Sequence, residues 1–180
     1  KILDRQQITI GRDARLSGEL LSKALAEGLQ VGGIHVIDIG VVSTPILYYA
    51  TSATVVDSGL MVTVSHNPAE YNGLKMVLAG TTLCQPEIER LYQTVIALPD
   101  PLPVSVIQGS YTPQDLIPAY KARLLEYIRL SRPLKVVVDA GNGMAGPFAP
   151  AALEALGCEV IPLYCTLDGR FPHHHPDPTI

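Results

Sequence analysis

The chain has 180 residues, of which 47% are hydrophobic and 17% are charged, and its formal net charge is −4. The net negative charge and the lack of a lysine- or arginine-rich block argue against nucleic-acid binding, and no apolar stretch approaches the ~20 residues of a membrane span. Three widely spaced cysteines favour free thiols in a reducing compartment, the cytoplasm, over a disulfide framework or a zinc site.

The first part of the chain predicts a βαβ unit. Residues 7–10 form a short strand, a helix runs from Gly18 to about Gln30 with Ser17 as its cap, and residues 35–39 form a second strand. This alternation favours a parallel or mixed sheet with helices packed on it.

Arg12 and Arg15 lie in the polar loop between that first strand and the helix, on either side of Asp13. Two interpretations are open for the arginines. They form an ion pair with Asp13, or they line a ligand cleft.

A second helix, a buried strand and a third helix follow. Thr44 and Pro45 form a helix-start signal, residues 59–62 form a buried strand, and residues 86–97 form an amphipathic helix. The proline-rich stretch 98–103 ends this helix, and we place a domain boundary near residue 110.

The segment from Thr63 to Lys75 carries the main candidate site. Ser65 follows directly on the strand end, and Asn72-Gly73 favours a tight type I′ turn. A second apolar run, residues 74–78, then returns the chain and brings Lys75 to the same rim as Ser65.

This segment gathers a hydroxyl, an imidazole, an amide and an ammonium in Ser65, His66, Asn67 and Lys75. A phosphoryl group on a serine adds about −1.5 to −2 charges, which cationic and hydrogen-bonding neighbours stabilise. The alternative is that Ser65 and Asn67 make ordinary loop hydrogen bonds while His66 and Lys75 lie in solvent.

The second part of the chain repeats the alternation of strand and helix. A glycine-rich loop follows its first strand, where backbone N–H groups could hold an anion, but this signal is weak because the spacing fits neither a P-loop nor the dinucleotide-binding fingerprint. The predicted elements are a helix at 113–130 capped by Thr112, a strand at 134–139, the loop at 140–146, a helix at 147–156 and a strand at 159–163.

Three adjacent histidines, 173–175, suggest a metal site at first sight. Consecutive side chains in an extended proline-rich loop point in different directions and do not readily converge on one ion. We therefore do not place a metal there. The predicted fold is α/β, a mixed, mainly parallel sheet sandwiched by helices and repeated in two similar domains, 1–110 and 111–180.

Several strings resemble the α-D-phosphohexomutases. Thr63-Val64-Ser65-His66-Asn67-Pro68 followed by Tyr71-Asn72-Gly73-Leu74-Lys75 is similar to the serine loop of that family, with valine in place of its usual alanine. The segments 11–18, 139–146 and 168–178 also match the family. The residues of the last segment are most similar to those of the bacterial phosphomannomutase/phosphoglucomutase branch.

The resemblance implies a phosphotransferase that interconverts hexose 1-phosphate and hexose 6-phosphate through a phosphoserine and a bisphosphorylated sugar. Ser65 would carry the phosphoryl group and ligate Mg²⁺ through a phosphoryl oxygen. His66 and Lys75 would assist catalysis, and Arg12, Arg15 and Asn67 would bind substrate. Hexose phosphates would be the partners, with glucose 1,6-bisphosphate as activator.

The resemblance also implies that the chain is the first domain and most of the second of four. The metal-binding aspartates and sugar-recognition loops of the family are then missing, so the isolated chain is expected to be inactive. Sugar preference and oligomeric state stay open.

Three alternatives remain. One is a phosphoglucosamine mutase, and another is a non-catalytic module that binds phosphosugars. The third is a serine hydrolase, for which Ser65 would need a base. Adjacent His66 is expected to be badly placed for that bond, and no Gly-x-Ser-x-Gly motif is present.

Overall fold

The computed structural model describes residues 5–99, 105, 107–175 and 177. The first half of the chain alternates strands and helices, as predicted. Its elements are β1 (Gln7–Arg12), α1 (Gly18–Val31), β2 (His35–Val41), α2 (Thr44–Ala53), β3 (Gly59–Val62), β4 (Leu74–Leu78), β5 (Thr81–Thr82), α3 (Gln85–Ile96) and β6 (Tyr111–Pro113).

These six strands form one sheet in the order β5-β4-β3-β1-β2-β6. Strands β3, β1, β2 and β6 run parallel, whereas β4 and β5 add an antiparallel edge. The predicted mixed, mainly parallel sheet is therefore confirmed. Because β1 and β3 are parallel neighbours, their carboxyl ends meet at one edge of the sheet, where the polar loops after them lie together.

Each face of the large sheet carries its own apolar cluster. On the α2 face the cluster includes Ile46, Leu47 and Met61, and on the α1 face it includes Ile10 and Val36. This agrees with the almost continuous burial of β1 and β3, since the side chains of a strand covered on both faces are buried on both.

The second half of the chain forms a smaller unit around a two-stranded parallel sheet. We call this half the small-sheet unit, and the first half, with the six-stranded sheet, the large-sheet unit. An aromatic contact links the small-sheet unit to α2 of the first half, with the ring centroid of Tyr120 5.5 Å from that of Tyr49. Within the small-sheet unit, Tyr120 also lies 5.4 Å from Phe148 between ring centroids. Its elements are α4 (Ile117–Tyr127), β7 (Lys135–Asp139), α5 (Ala149–Ala155) and β8 (Glu159–Leu163).

The helix predicted from residue 113 with Thr112 as its cap is wrong at its start. Residues 111–113 instead form β6, which pairs with β2 at the edge of the large sheet, and α4 begins only at Ile117. The cause is backbone pairing with a distant strand, which local helix signals do not include. The division into domains at residue 110 stays a prediction.

The two predicted helix starts differ in part from the structure. Ser17 precedes α1 as predicted but makes no side-chain capping hydrogen bond to it, and its Oγ instead accepts one from Nδ2 of Asn72 at 3.0 Å. Ser43, not Thr44, is the residue before α2, so Pro45 is the second helical residue and not the first. Among the described residues, no helix has the length and apolar character required to cross a membrane.

The apolar cluster on the α2 face should dominate the stability of the large-sheet unit. Leu47 is completely buried there, so Leu47→Ala is expected to lower the free energy of unfolding by about 3 kcal/mol through lost burial and a residual cavity. Leu20→Ala is the matched control, because Leu20 is 72% exposed and its truncation should cost less than about 0.5 kcal/mol. Urea unfolding measures both, and equal effects of the two changes would contradict this account of the core.

Candidate active site

The candidate site is built on the loop between β3 and β4, residues 63–73, which we call the serine loop. The backbone N–H of Thr63 donates to the carbonyl of Gly73 at 2.9 Å and closes the base of the loop. The predicted type I′ turn at Asn72-Gly73 is wrong, because that turn needs positive φ at both central residues and neither has it. The serine loop is therefore an open loop, and its shape depends on contacts with other segments.

Ser65 is exposed at the exit of β3 with its backbone in the left-handed region, φ 61°. Such a conformation costs a non-glycine residue roughly 1–2 kcal/mol. Its Oγ lies 3.0 Å from Nδ1 of His66, so the expectation that this neighbour is badly placed is wrong. That expectation assumed extended backbone, in which successive side chains point to opposite sides, and the left-handed turn at Ser65 ends this alternation.

Lys75 lies on β4 directly opposite Met61 of β3 and is half-buried. It lines the same cleft as Ser65 and His66, as the sequence predicted. Among the described residues its ammonium has no hydrogen-bond acceptor and no ion-pair partner. Lys75 is therefore a cation that is free to meet an anion in the cleft.

Arg15, expected to bind substrate, instead lies behind the serine loop with its side chain completely buried. All five N–H groups of its guanidinium have an acceptor, so none remains for a ligand. The acceptors are Oδ2 of Asp13 at 3.2 Å and the loop carbonyls of Ser65 at 2.8 Å, Asn67 at 2.7 Å, Pro68 at 2.5 Å and Tyr71 at 3.1 Å.

Arg12 and Asn67, the other residues expected to bind substrate, are not among the side chains that line the cleft. Arg12 forms an ion pair with Asp38 at 3.3 Å, not with Asp13, in a separate groove beside α1. Tyr111 donates to the same carboxylate, and this bond, with burial, raises the pKa of Tyr111 to about 12. Asn67 contributes its main chain, since its carbonyl accepts from Arg15 and its N–H donates to the carbonyl of Val64.

The cleft itself has a volume of about 490 Å³ and lies between the two units. The large-sheet unit contributes the serine loop, Lys75 and the first turn of α2, and the small-sheet unit contributes the loop after β7 and Phe171. Ser65 therefore faces a space that both halves of the chain enclose.

Sequence reasoning missed one charged pair in this cleft, Asp139 and His174. Asp139 ends β7, and its Oδ1 lies 2.9 Å from Nε2 of His174. The other ring nitrogen, Nδ1, lies 3.0 Å from the carbonyl of His175. Both ring nitrogens thus face acceptor groups, an arrangement that favours the doubly protonated, positively charged ring.

The titration behaviour of the pair agrees with this geometry. The His175 carbonyl, followed by Asp139, raises the pKa of His174 above its ordinary value. His174, followed by the backbone N–H of Gly141, lowers the pKa of Asp139. The position of Asp139 after a parallel strand was the available signal, because such strand ends border ligand clefts.

The three histidines make separate contacts. His173 stacks on Tyr164 at 4.0 Å between centroids, and its Nδ1 lies 2.6 Å from Oδ1 of Asn142, whereas His174 binds Asp139. Asn142 is buried with φ 60°, and its side-chain N–H donates to the carbonyl of Thr166 at 2.8 Å. These contacts give the glycine-rich loop around Asn142 a structural role in joining two segments of the small-sheet unit.

Comparison with known proteins identifies the family of the chain. The sequence profile for phosphoglucomutase/phosphomannomutase α/β/α domain I matches residues 1–99, and the profile for domain II of the same family matches residues 118–180. The chain belongs to the phosphoglucomutase/phosphomannomutase family.

Individual relatives agree with this assignment. The chain is 47% identical over 171 residues to a phosphomannomutase/phosphoglucomutase of Pseudomonas aeruginosa, covering 95% of the chain and 36% of that relative. It is 43% identical over 173 residues to a phosphoglucomutase of Neisseria gonorrhoeae, covering 96% of the chain and 37% of the relative. The chain thus spans little more than a third of the length of these relatives.

A solved structure of a phosphoglucomutase/phosphomannomutase family protein from Burkholderia thailandensis has the same fold. It matches with a TM-score of 0.90 and 44% sequence identity, covering 97% of this chain and 39% of that one. The predicted fold class, repeated in two α/β units, is confirmed by the family match and by this structure.

The Asp139–His174 pair predicts a measurable titration. Because the folded pKa of His174 is raised, the stability that its protonated form contributes is present below the ordinary pKa of 6.5 and is lost as pH rises through the folded value. Asp139→Asn should return the pKa of His174 toward 6.5, as followed by NMR of its imidazole resonances.

Asp115→Asn is the control for this titration, since the Asp115 carboxylate accepts only from the N–H of Ile117. It should leave the pKa of His174 unchanged. An identical pKa of His174 in the Asp139→Asn variant and in the unmodified protein would contradict the pairing.

Proposed function

We propose that this chain carries the phosphoserine site of a hexose phosphate mutase that interconverts hexose 1-phosphate and hexose 6-phosphate through a bisphosphorylated sugar. The observation that carries the proposal is Ser65, exposed in a left-handed turn beside His66, in a cleft where Lys75 is a cation without a partner among the described residues. Because the chain spans about 36% of the length of its Pseudomonas aeruginosa relative, we propose that it works within a longer mutase.

The charges in the cleft suit phosphoryl transfer. Such transfer requires little covalent chemistry from the protein and depends mainly on positioning and on offsetting negative charge. As the bond between phosphorus and Oγ of Ser65 breaks, a bond from a sugar hydroxyl oxygen to phosphorus forms and the hydroxyl proton must leave. Lys75 either offsets the negative charge of the transferring group or, as a neutral amine, accepts that proton.

His66 acts on the hydroxyl of Ser65 itself. Its Nδ1 is within hydrogen-bond distance of Oγ, so a protonated His66 can give its proton to Oγ as the phosphoryl group leaves for the sugar, and can take that proton back when Ser65 is phosphorylated again. In the phosphorylated state, the protonated His66 would offset part of the phosphate charge. The proposed catalytic set is Ser65, His66 and Lys75.

Mg²⁺ is part of this proposal, with one ligand from this chain. Among the described residues, no three histidine, cysteine, aspartate or glutamate side chains are grouped to hold a metal ion. Because Mg²⁺ prefers octahedral oxygen coordination, a phosphoryl oxygen on Ser65 would be one ligand and the others would come from elsewhere in the mutase. Bound Mg²⁺ would offset the charge of the transferring group, and the isolated chain is accordingly expected to be inactive.

The remaining assignments follow from the same proposal. Hexose phosphates, including those of mannose and glucose, are the substrates, and glucose 1,6-bisphosphate is the activator that restores the phosphoserine. The three cysteines, Cys84, Cys158 and Cys165, are all free, which supports a reducing cytoplasm as the location.

Labelling of Ser65 tests the proposal. The full-length mutase, treated with glucose 1,6-bisphosphate carrying ³²P, should become labelled, and peptide mass spectrometry should place the phosphate on Ser65. Ser65→Ala should abolish the label and nearly all turnover, because the phosphoryl carrier is lost. Ser52→Ala, an exposed serine on α2, is the control and should label normally.

The alternatives give different results in this experiment. A phosphosugar-binding module would bind hexose phosphate without becoming labelled, and a serine hydrolase would react at Ser65 with an acyl probe. Phosphate found on another residue of the active protein would exclude Ser65 as the carrier.

Lys75 is the second target. Lys75→Met keeps the length and apolar part of the side chain but removes the charge, so kcat should fall by about 100-fold, the loss expected for one preorganised electrostatic contact. Lys23→Met is the control, because Lys23 is exposed on α1 and lies outside the cleft. Steady-state turnover of glucose 1-phosphate measures both variants, and a normal kcat in folded Lys75→Met would remove Lys75 from the mechanism.

A further inference from the structure

Four backbone carbonyls of the serine loop accept hydrogen bonds from one side chain. Arg15 donates to the carbonyls of Ser65, Asn67, Pro68 and Tyr71, and no described helix or strand lies between them. Backbone carbonyls in a loop without regular structure need other donors, and here one guanidinium supplies them. The conformation of the loop therefore depends on Arg15 more than on its own sequence.

Arg15 is itself held at a fixed point relative to β1. Oδ1 of Asp13 accepts the backbone N–H of Arg15 at 3.0 Å, and Oδ2 accepts Nε of Arg15 and the hydroxyl of Thr63 at 2.6 Å. The hydroxyl of Thr63 in turn accepts the backbone N–H of Ser65 at 3.1 Å. A continuous chain of hydrogen bonds thus connects the exit of β1 to the backbone of Ser65.

The small-sheet unit contacts the same guanidinium from the other side. The ring of Phe171 lies 5.4 Å from Cζ of Arg15, within the range of a cation–π contact. Next to it, a Cβ added at Gly169 would be 2.1 Å from the carbonyl oxygen of Ala14, so only glycine allows this approach. The segment that carries Phe171 is therefore packed directly against the backbone beside Arg15.

We propose that Arg15 is a positioning residue for phosphoryl transfer, which fixes Ser65 in its left-handed conformation and ties the serine loop to the small-sheet unit through Phe171. This inference rests on the proposed function of Ser65. Lysine cannot replace Arg15, because an ammonium has three donors and no planar fork, whereas the site presents five acceptors on two segments.

The test uses the full-length mutase and the variant Arg15→Lys, with Arg90→Lys as the matched control. Arg90 is exposed on α3, and within the described part of the chain its guanidinium bonds to Glu87 alone. In Arg15→Lys, amides of the serine loop should exchange hydrogen faster while those of β1 and β3 stay protected. Its kcat should fall about 100-fold with KM for glucose 1-phosphate changed less than about threefold, since a misplaced nucleophile slows transfer more than binding.

Arg90→Lys should match the unmodified protein in exchange and in kcat. Folded Arg15→Lys with a kcat within about twofold of the unmodified enzyme would overturn the proposal, as would a loss of activity that only follows the loss of folded protein.

A second variant keeps the test decisive if Arg15→Lys does not fold. Phe171→Leu preserves an apolar side chain but removes the ring face, so it should speed exchange in the serine loop and lower kcat by several-fold. Unchanged exchange and unchanged kcat in this variant would overturn the tie to the small-sheet unit. If the unmodified enzyme carries no phosphate on Ser65, the proposed function fails. Hydrogen exchange would still show whether Arg15 stabilises the conformation of the serine loop.

Discussion

A guanidinium with no access to water must find an acceptor for each of its N–H groups, and this requirement shapes the site around Arg15. One acceptor is a carboxylate, and the other four are carbonyls of the serine loop. Since an unpaired buried charge is far more costly than an ordinary lost hydrogen bond, these segments are strongly favoured in one arrangement. The exposed serine at the rim is thus supported by a buried cation that never reaches the cleft.

The positive charges in and behind the cleft are of two kinds. Arg15 and His174 are satisfied by protein acceptors and serve to fix segments, whereas Lys75 has no partner among the described residues and is available to a ligand. An anion entering the cleft meets little competition for Lys75 from neighbouring carboxylates that are already bonded, such as Asp13 and Asp139. The bonded cations therefore keep the site rigid, while Lys75 supplies a positive charge for a ligand.

The sequence predicted the parts of the fold and site that depend on local pattern. The strands at 59–62 and 159–163 and the helix near 86–97 follow from apolar periodicity, and Ser65, His66 and Lys75 share one cleft because β3 and β4 are adjacent. Contacts across long separations were not predictable in this way. Asp139 and His174 are 35 residues apart. The loop acceptors of Arg15 are main-chain carbonyls, which every residue type has, so the sequence does not indicate which ones Arg15 contacts.

Strand β6 has a consequence for how the two units behave together. Only residues 114–116 separate it from α4; within them the N–H of Gln114 donates to the carbonyl of Asp38 at 2.9 Å, and Leu116 is buried in the α2-face cluster. This short connection is held to the large sheet by a backbone hydrogen bond and by burial. The two units should therefore melt as a single cooperative transition and resist proteases at their junction, unlike domains joined by a flexible tether.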